Sequence, residues 1–105
     1  MNKIKCIVYK KEFCVDPIHG SYHFYTEIFV PEKNLIIRLG DDNKTVIFIK
    51  SCDHAETEET IINGLEYYKG RVKEIKEQTI NSKFVNLCEE KKIIEDRLKN
   101  IQIFQ

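Results

Sequence analysis

The chain reads as an α+β domain: an antiparallel sheet of about four strands in the N-terminal half, followed by a C-terminal helical hairpin packed on the sheet. Three observations carry this reading. Apolar and polar residues alternate up to about residue 51. Beyond it, apolar residues recur at steps of three and four. The segments between the early strands are too short to join anything but antiparallel neighbours. With 105 residues, the chain has room for one domain, 1–105, divided into a β-meander over 1–51 and a helical region over 52–105.

The first strand places Ile4, Cys6 and Val8 on one face, with Ile7 and Tyr9 on the other. Asp16-Pro17-Ile18-His19-Gly20 is turn chemistry: the aspartate accepts local backbone bonds, proline fixes φ and glycine tolerates positive φ. Tyr22, Phe24, Thr26, Ile28 and Val30 then line one face of a second strand, and His23, Tyr25, Glu27 and Phe29 the other. Pro31-Glu32-Lys33-Asn34 turns the chain into a third strand over 35–39. Gly40 to Lys44 is a hairpin loop leading to a fourth strand over 45–50. After residue 51, Asp53 with Glu56 suits a capping box, and Ile61, Leu65, Tyr68, Val72 and Ile75 form one helical stripe. Gly64 and Gly70 lie within it, each costing ~1 kcal/mol against alanine in a helix interior. Asn81-Ser82 suits the cap of a second helix, whose stripe is Phe84, Leu87, Ile94, Leu98 and Ile101, with Lys91 interrupting a near-heptad seam. The alternative to a hairpin is one helix of about 45 residues, which is long for so small a domain.

Composition excludes several classes. Lys+Arg and Asp+Glu are 17 each, so the net charge is zero, and the bulk positive field that draws a protein onto nucleic acid or an anionic membrane is missing. No run approaches the ~20 apolar residues of a membrane span. Met1 to Lys5 lacks an apolar leader, and Cys6, Cys14, Cys52 and Cys88 form no paired motif. The expectation is therefore a cytoplasmic protein with reduced thiols, mostly serving as small apolar residues. A Lys, Ile and Asn bias fits an AT-rich coding genome, of the bacterial or phage accessory kind.

The third and fourth strands carry apolar side chains on both faces: Leu35-Ile36-Ile37-Arg38-Leu39 and Val46-Ile47-Phe48-Ile49. One helical hairpin covers one face. The reading assigns the other, with Tyr25, Phe29, Ile36, Ile47 and Ile49, to an interface with a second copy, since exposed patches of that size mark interfaces.

Among chemistry-bearing residues, Cys14, His19 and His23 have zinc-type identities, yet His19 and His23 on an extended strand would stand ~13 Å apart. Ordinary surface polarity outweighs a metal site there. Cys52 with His54, or Cys14 with His23, is a weak nucleophile pair without a glycine-rich elbow. Asp41-Asp42, Glu58-Glu59 and Glu89-Glu90 are adjacent acids that usually serve solubility. No phosphate-binding or dinucleotide motif occurs, so no cofactor is expected. Tyr22-His23-Phe24-Tyr25 suggests a base-stacking platform, but strand aromatics normally pack against one another. Arg38 stands out in an apolar strand. It either pairs with Glu27 on the neighbouring strand or lines an anion pocket with Tyr25, Lys91, Arg71 and Arg97.

The function expected is that of a non-catalytic binding or interaction protein acting as a homo-oligomer, sequestering a small anionic, phosphate-bearing ligand or inhibiting a protein partner. A small Cys/His-dependent enzyme is the alternative, and a nucleic-acid-binding regulator the third.

Overall fold

The computed structural model describes residues 2–51, 63 and 71–99. Five strands form one antiparallel sheet: β1 (Lys3–Asp16), β2 (Ser21–Val30), β3 (Leu35–Leu39), β4 (Val46–Ser51) and β5 (Val72–Asn81). Helix α1 (Ser82–Lys99) follows. The strand order is β4-β3-β2-β1-β5. The three expected hairpin connections are present. Between β2 and β3 lies a single 3-10 turn, Pro31–Lys33, with proline in its first turn and Asn34 closing it in the left-handed region at φ 51°.

The helical hairpin is not observed. Residues 72–81, expected at the end of a first helix, are instead a strand on the outer edge of β1. Ile4 pairs with Ile80 and Cys6 with Gln78, and the register shifts between Val8 and Lys10. Lysine and glutamate fill this strand because it is an edge, and charges there discourage pairing with another chain. Lys5 meets Glu77 at 3.7 Å and Lys10 meets Glu74 at 3.6 Å. The helix start at Asp53 and the stripe from Ile61 to Tyr68 lie outside the described residues. By contrast, α1 begins where its cap predicts: Asn81 Oδ1 accepts the Lys83 backbone N–H at 2.9 Å.

The centre of the sheet is buried on both faces. On one, Ile4, Cys6, Ile28, Val30, Leu35, Ile37, Leu39 and Ile49 pack with Val85 and Cys88 of α1. On the other, Ile7, Tyr9, Phe29 and Val72 form a second cluster with Ile36 at its side. Phe29 is 1% exposed and Tyr9 2%, within a single chain. The centre of the far face is thus buried, while Ile36 and Tyr25 are part-buried and Phe48 is exposed.

The proposed interface set divides accordingly. Ile37 pairs with Ile49 and Ile36 with Lys50, so Ile49 faces α1 and lies opposite Ile36 and Phe29. A register shift between Arg38 and Leu39 leaves Ile47 without a ladder partner; it is half-exposed. Bulges of this kind re-aim side chains in a way that alternation alone does not reveal.

Two stability outcomes follow. Phe29→Ala should cost about 3–5 kcal/mol in denaturant unfolding, against little for the exposed Ile75→Ala. Glu74 occupies the left-handed region at φ 57°, where a residue with a Cβ is strained by about 1 kcal/mol. Glu74→Gly should therefore leave stability unchanged or raise it by up to about 1 kcal/mol, despite the lost Lys10 pair. A clear loss would show that the bulge depends on this side chain.

Candidate functional site

β1 is fourteen residues long, so with β2 it runs past the rest of the sheet. Val72 of β5 pairs with Lys11, while the β1–β2 ladder continues to Asp16 opposite Ser21. The end of this hairpin, from Cys14 to Tyr22, is exposed apart from the part-buried Asp16. Its turn is fixed locally: Asp16 Oδ1 accepts the backbone N–H groups of Ile18 and His19 at 3.1 and 3.2 Å, and His19 Nδ1 lies 2.6 Å from Asp16 Oδ2. Gly20 takes the positive φ of 67° that closes the turn. Hydrogen bonds from His19 hold the Asp16 carboxyl below its ordinary value. On this ordered tip stand Val15, Ile18 and Tyr22, which are 52%, 88% and 58% exposed.

Below the tip, one face carries aromatic rings and cations. Phe13 and Tyr25 rings stand 5.9 Å apart, and His23 meets Tyr25 edge-on at 4.7 Å. The Arg38 guanidinium sits 3.9 Å from the centre of Phe13 and 4.8 Å from that of Phe48. Lys11 lies over Phe13 as well, at 5.4 Å. Such contacts contribute about 0.5–1 kcal/mol each at exposed positions.

Arg38 is also tied to an acid. Its Nε donates to Glu27 Oε2 at 3.1 Å, and Tyr9 donates its hydroxyl to Glu27 Oε1 at 2.9 Å. Glu27 is 3% exposed. It pairs in register with Tyr9 on one side and Arg38 on the other, so three adjacent strands share one polar node. A buried carboxylate needs such partners. This is the pairing alternative of the sequence reading.

The anion-pocket residues do not converge. Tyr25 and Arg38 lie on the far face. Arg71 precedes β5 and shares a cleft of about 280 Å³ with Lys11, Glu12 and Val72. Lys91 and Arg97 are on α1, which packs against the opposite face.

The Cys/His candidates separate likewise. Cys14 pairs with Tyr22 and Phe13 with His23, so Cys14 and His23 point to opposite faces. The His23 Nε2 contacts Asp41, and His19 is engaged by Asp16. Among the described residues no group of three or more His, Cys, Asp or Glu side chains could hold a metal ion. Cys52 and His54 lie outside the described residues. Burial pushes the Cys6 and Cys88 thiols above their ordinary value, which keeps them neutral and unreactive. The residues of the expected stacking run also alternate, with Tyr22 and Phe24 opposite His23 and Tyr25, and Lys73 covers the Phe24 ring at 4.1 Å.

What sequence reading missed is the projecting tip. A lone isoleucine between proline and histidine in a turn was a visible signal, but only the length of β1 shows how far it stands out.

The β3–β4 loop supports the hairpin's flank. Thr26 donates to Asn43 Oδ1 at 2.8 Å. Asp42 accepts the backbone N–H groups of Lys44 and Thr45 at 2.9 and 2.8 Å, and the Thr45 hydroxyl. The Thr45 side chain first, and then these amides, bring the Asp42 carboxyl down from 3.8 to about 2.

Compared with protein-family models, curated proteins and solved structures, the chain matches none.

Two measurements test this geometry. A double-mutant cycle with Glu27→Gln and Arg38→Ala should return a coupling of about 1–3 kcal/mol; additive losses would mean that the two side chains do not interact. Because the Asp42 value is depressed on folding, its stabilising bonds are complete above 3.8 and are lost as pH falls through about 2. NMR titration of the Asp42 carboxyl and the Thr45 amide should show one step near 2, and a step near 3.8 would contradict the loop geometry.

Proposed function

We propose that this chain is a non-catalytic interaction protein whose β1–β2 hairpin inserts its tip into an apolar recess of a protein partner. The observation that carries the reading is Ile18: a large aliphatic side chain, 88% exposed, on a turn that Asp16, His19 and Gly20 hold in one shape. Exposing it costs the folded chain the stabilisation that burial would give, about 1.5–3 kcal/mol for a full isoleucine side chain. A preorganised turn keeps the entropy cost of docking low. Val15 and Tyr22 are exposed on either side of Ile18 along the chain, and tyrosine is among the residue types enriched in binding hot spots.

A catalytic reading draws less support. The imidazoles of His19 and His23 and the guanidinium of Arg38 are each held by a carboxylate, the free thiols of Cys6 and Cys88 are buried, and the exposed Cys14 lies on the face opposite His23. The anion-sequestering reading draws less support for the same reason: Glu27 already neutralises Arg38.

Quantitative affinity capture from the native source tests the proposal. Wild-type protein and Ile18→Asp should have the same unfolding midpoint, because the site is exposed. A partner retained by the wild type should be reduced at least tenfold by Ile18→Asp and by Tyr22→Ser, and unaffected by Ile75→Ser on β5. Equal retention by all four proteins would refute the hairpin as the binding element.

A further inference from the structure

A second surface, independent of the hairpin, lies on α1. Val85 and Cys88 are its buried residues. At 100° per residue, Leu87, Lys91, Ile94 and Leu98 fall on the side facing away from the sheet, and the three apolar ones are 64%, 55% and 62% exposed. After Cys88 no described helix residue is buried. The last ten described residues of α1 thus add no buried side chain to the core, with only Lys92 and Glu95 part-buried, and a segment of that length is marginal as a helix in water on its own. Something packed along the outward stripe would hold it.

The flanking charges say what. Glu90 and Arg97 lie on the same border of the stripe, seven residues apart, and neither makes an ion pair with a described residue. A parallel copy in register would set Glu90 near the partner's Glu95 and Lys91 against the partner's Lys91, both repulsive. An antiparallel copy sets each Leu87 beside the partner's Leu98 and each Glu90 beside the partner's Arg97. That arrangement is its own mirror about a two-fold axis, as a symmetric dimer requires.

We propose that the protein self-associates through antiparallel pairing of α1 with a second copy of itself, with Leu87, Ile94 and Leu98 at the seam and reciprocal Glu90–Arg97 pairs at its border. This surface lies on the helix, whereas the sequence reading placed the contact on the sheet.

Sedimentation equilibrium on the full chain over a micromolar concentration series tests it. The wild type should approach twice the monomer mass of 12.5 kDa, and Leu98→Glu should be monomeric with an unchanged sheet signal by circular dichroism. Glu90→Arg and Arg97→Glu should each weaken the dimer about tenfold, and the double swap should restore it to within about threefold. A wild-type monomer throughout, as when residues 100–105 of the same chain cover the stripe, overturns the proposal. So does a dimer indifferent to Leu98→Glu, or one that Glu90→Arg tightens, which is the mark of a parallel pair.

Discussion

Ile28, Phe29 and Val30 are consecutive in β2 and all three are buried. Neighbouring strand residues point to opposite faces, so the centre of this sheet has to be dry on both. Antiparallel sheets commonly leave one face to water. Here β1 and β2 carry the core for two clusters at once, one beneath α1 and one around Phe29 and Tyr9. Edge strands can then be short or charged, as β4 and β5 are, because the strands between them hold the layer.

A dry far face makes polar groups on it expensive, and the structure gathers them at one point. Glu27 accepts from Tyr9 and Arg38. The guanidinium reaches outward between two phenyl rings, which marks the border between the dry part of that face and the exposed hairpin beyond it. Each outward element therefore rests on a buried one. The hairpin tip extends two strands that are anchored at their other end in both clusters, and the outward stripe of α1 continues a helix fixed by Val85 and Cys88.

Much of the N-terminal half was legible because turn chemistry and alternation agree there. Asp16 to Gly20, Pro31 to Asn34 and the Gly40 loop all fall where the residue types place them. The Glu27–Arg38 pair was legible too, since a charge in an apolar strand has few places to go. Three features were hidden. β5 reads as helix because lysine and glutamate favour helices and its bulge at Glu74 breaks the alternation, so Val72 and Ile75 mimic a helical step. Strand register, and with it the face taken by Ile49, depends on the bulge at Ile47, which no local signal marks. The scattering of Lys91, Arg97 and Arg71 away from Arg38 is a matter of which face α1 covers, and that is decided by tertiary packing.

Native-state hydrogen exchange distinguishes a fold held at the centre of β2 from one held elsewhere. If the doubly buried centre of β2 holds the fold together, the amides of Ile28 and Phe29 exchange only through global unfolding, while those of the hairpin between Cys14 and Tyr22 exchange through local opening at a much lower free energy. Exchange of the Phe29 amide as readily as that of the hairpin tip would contradict the account.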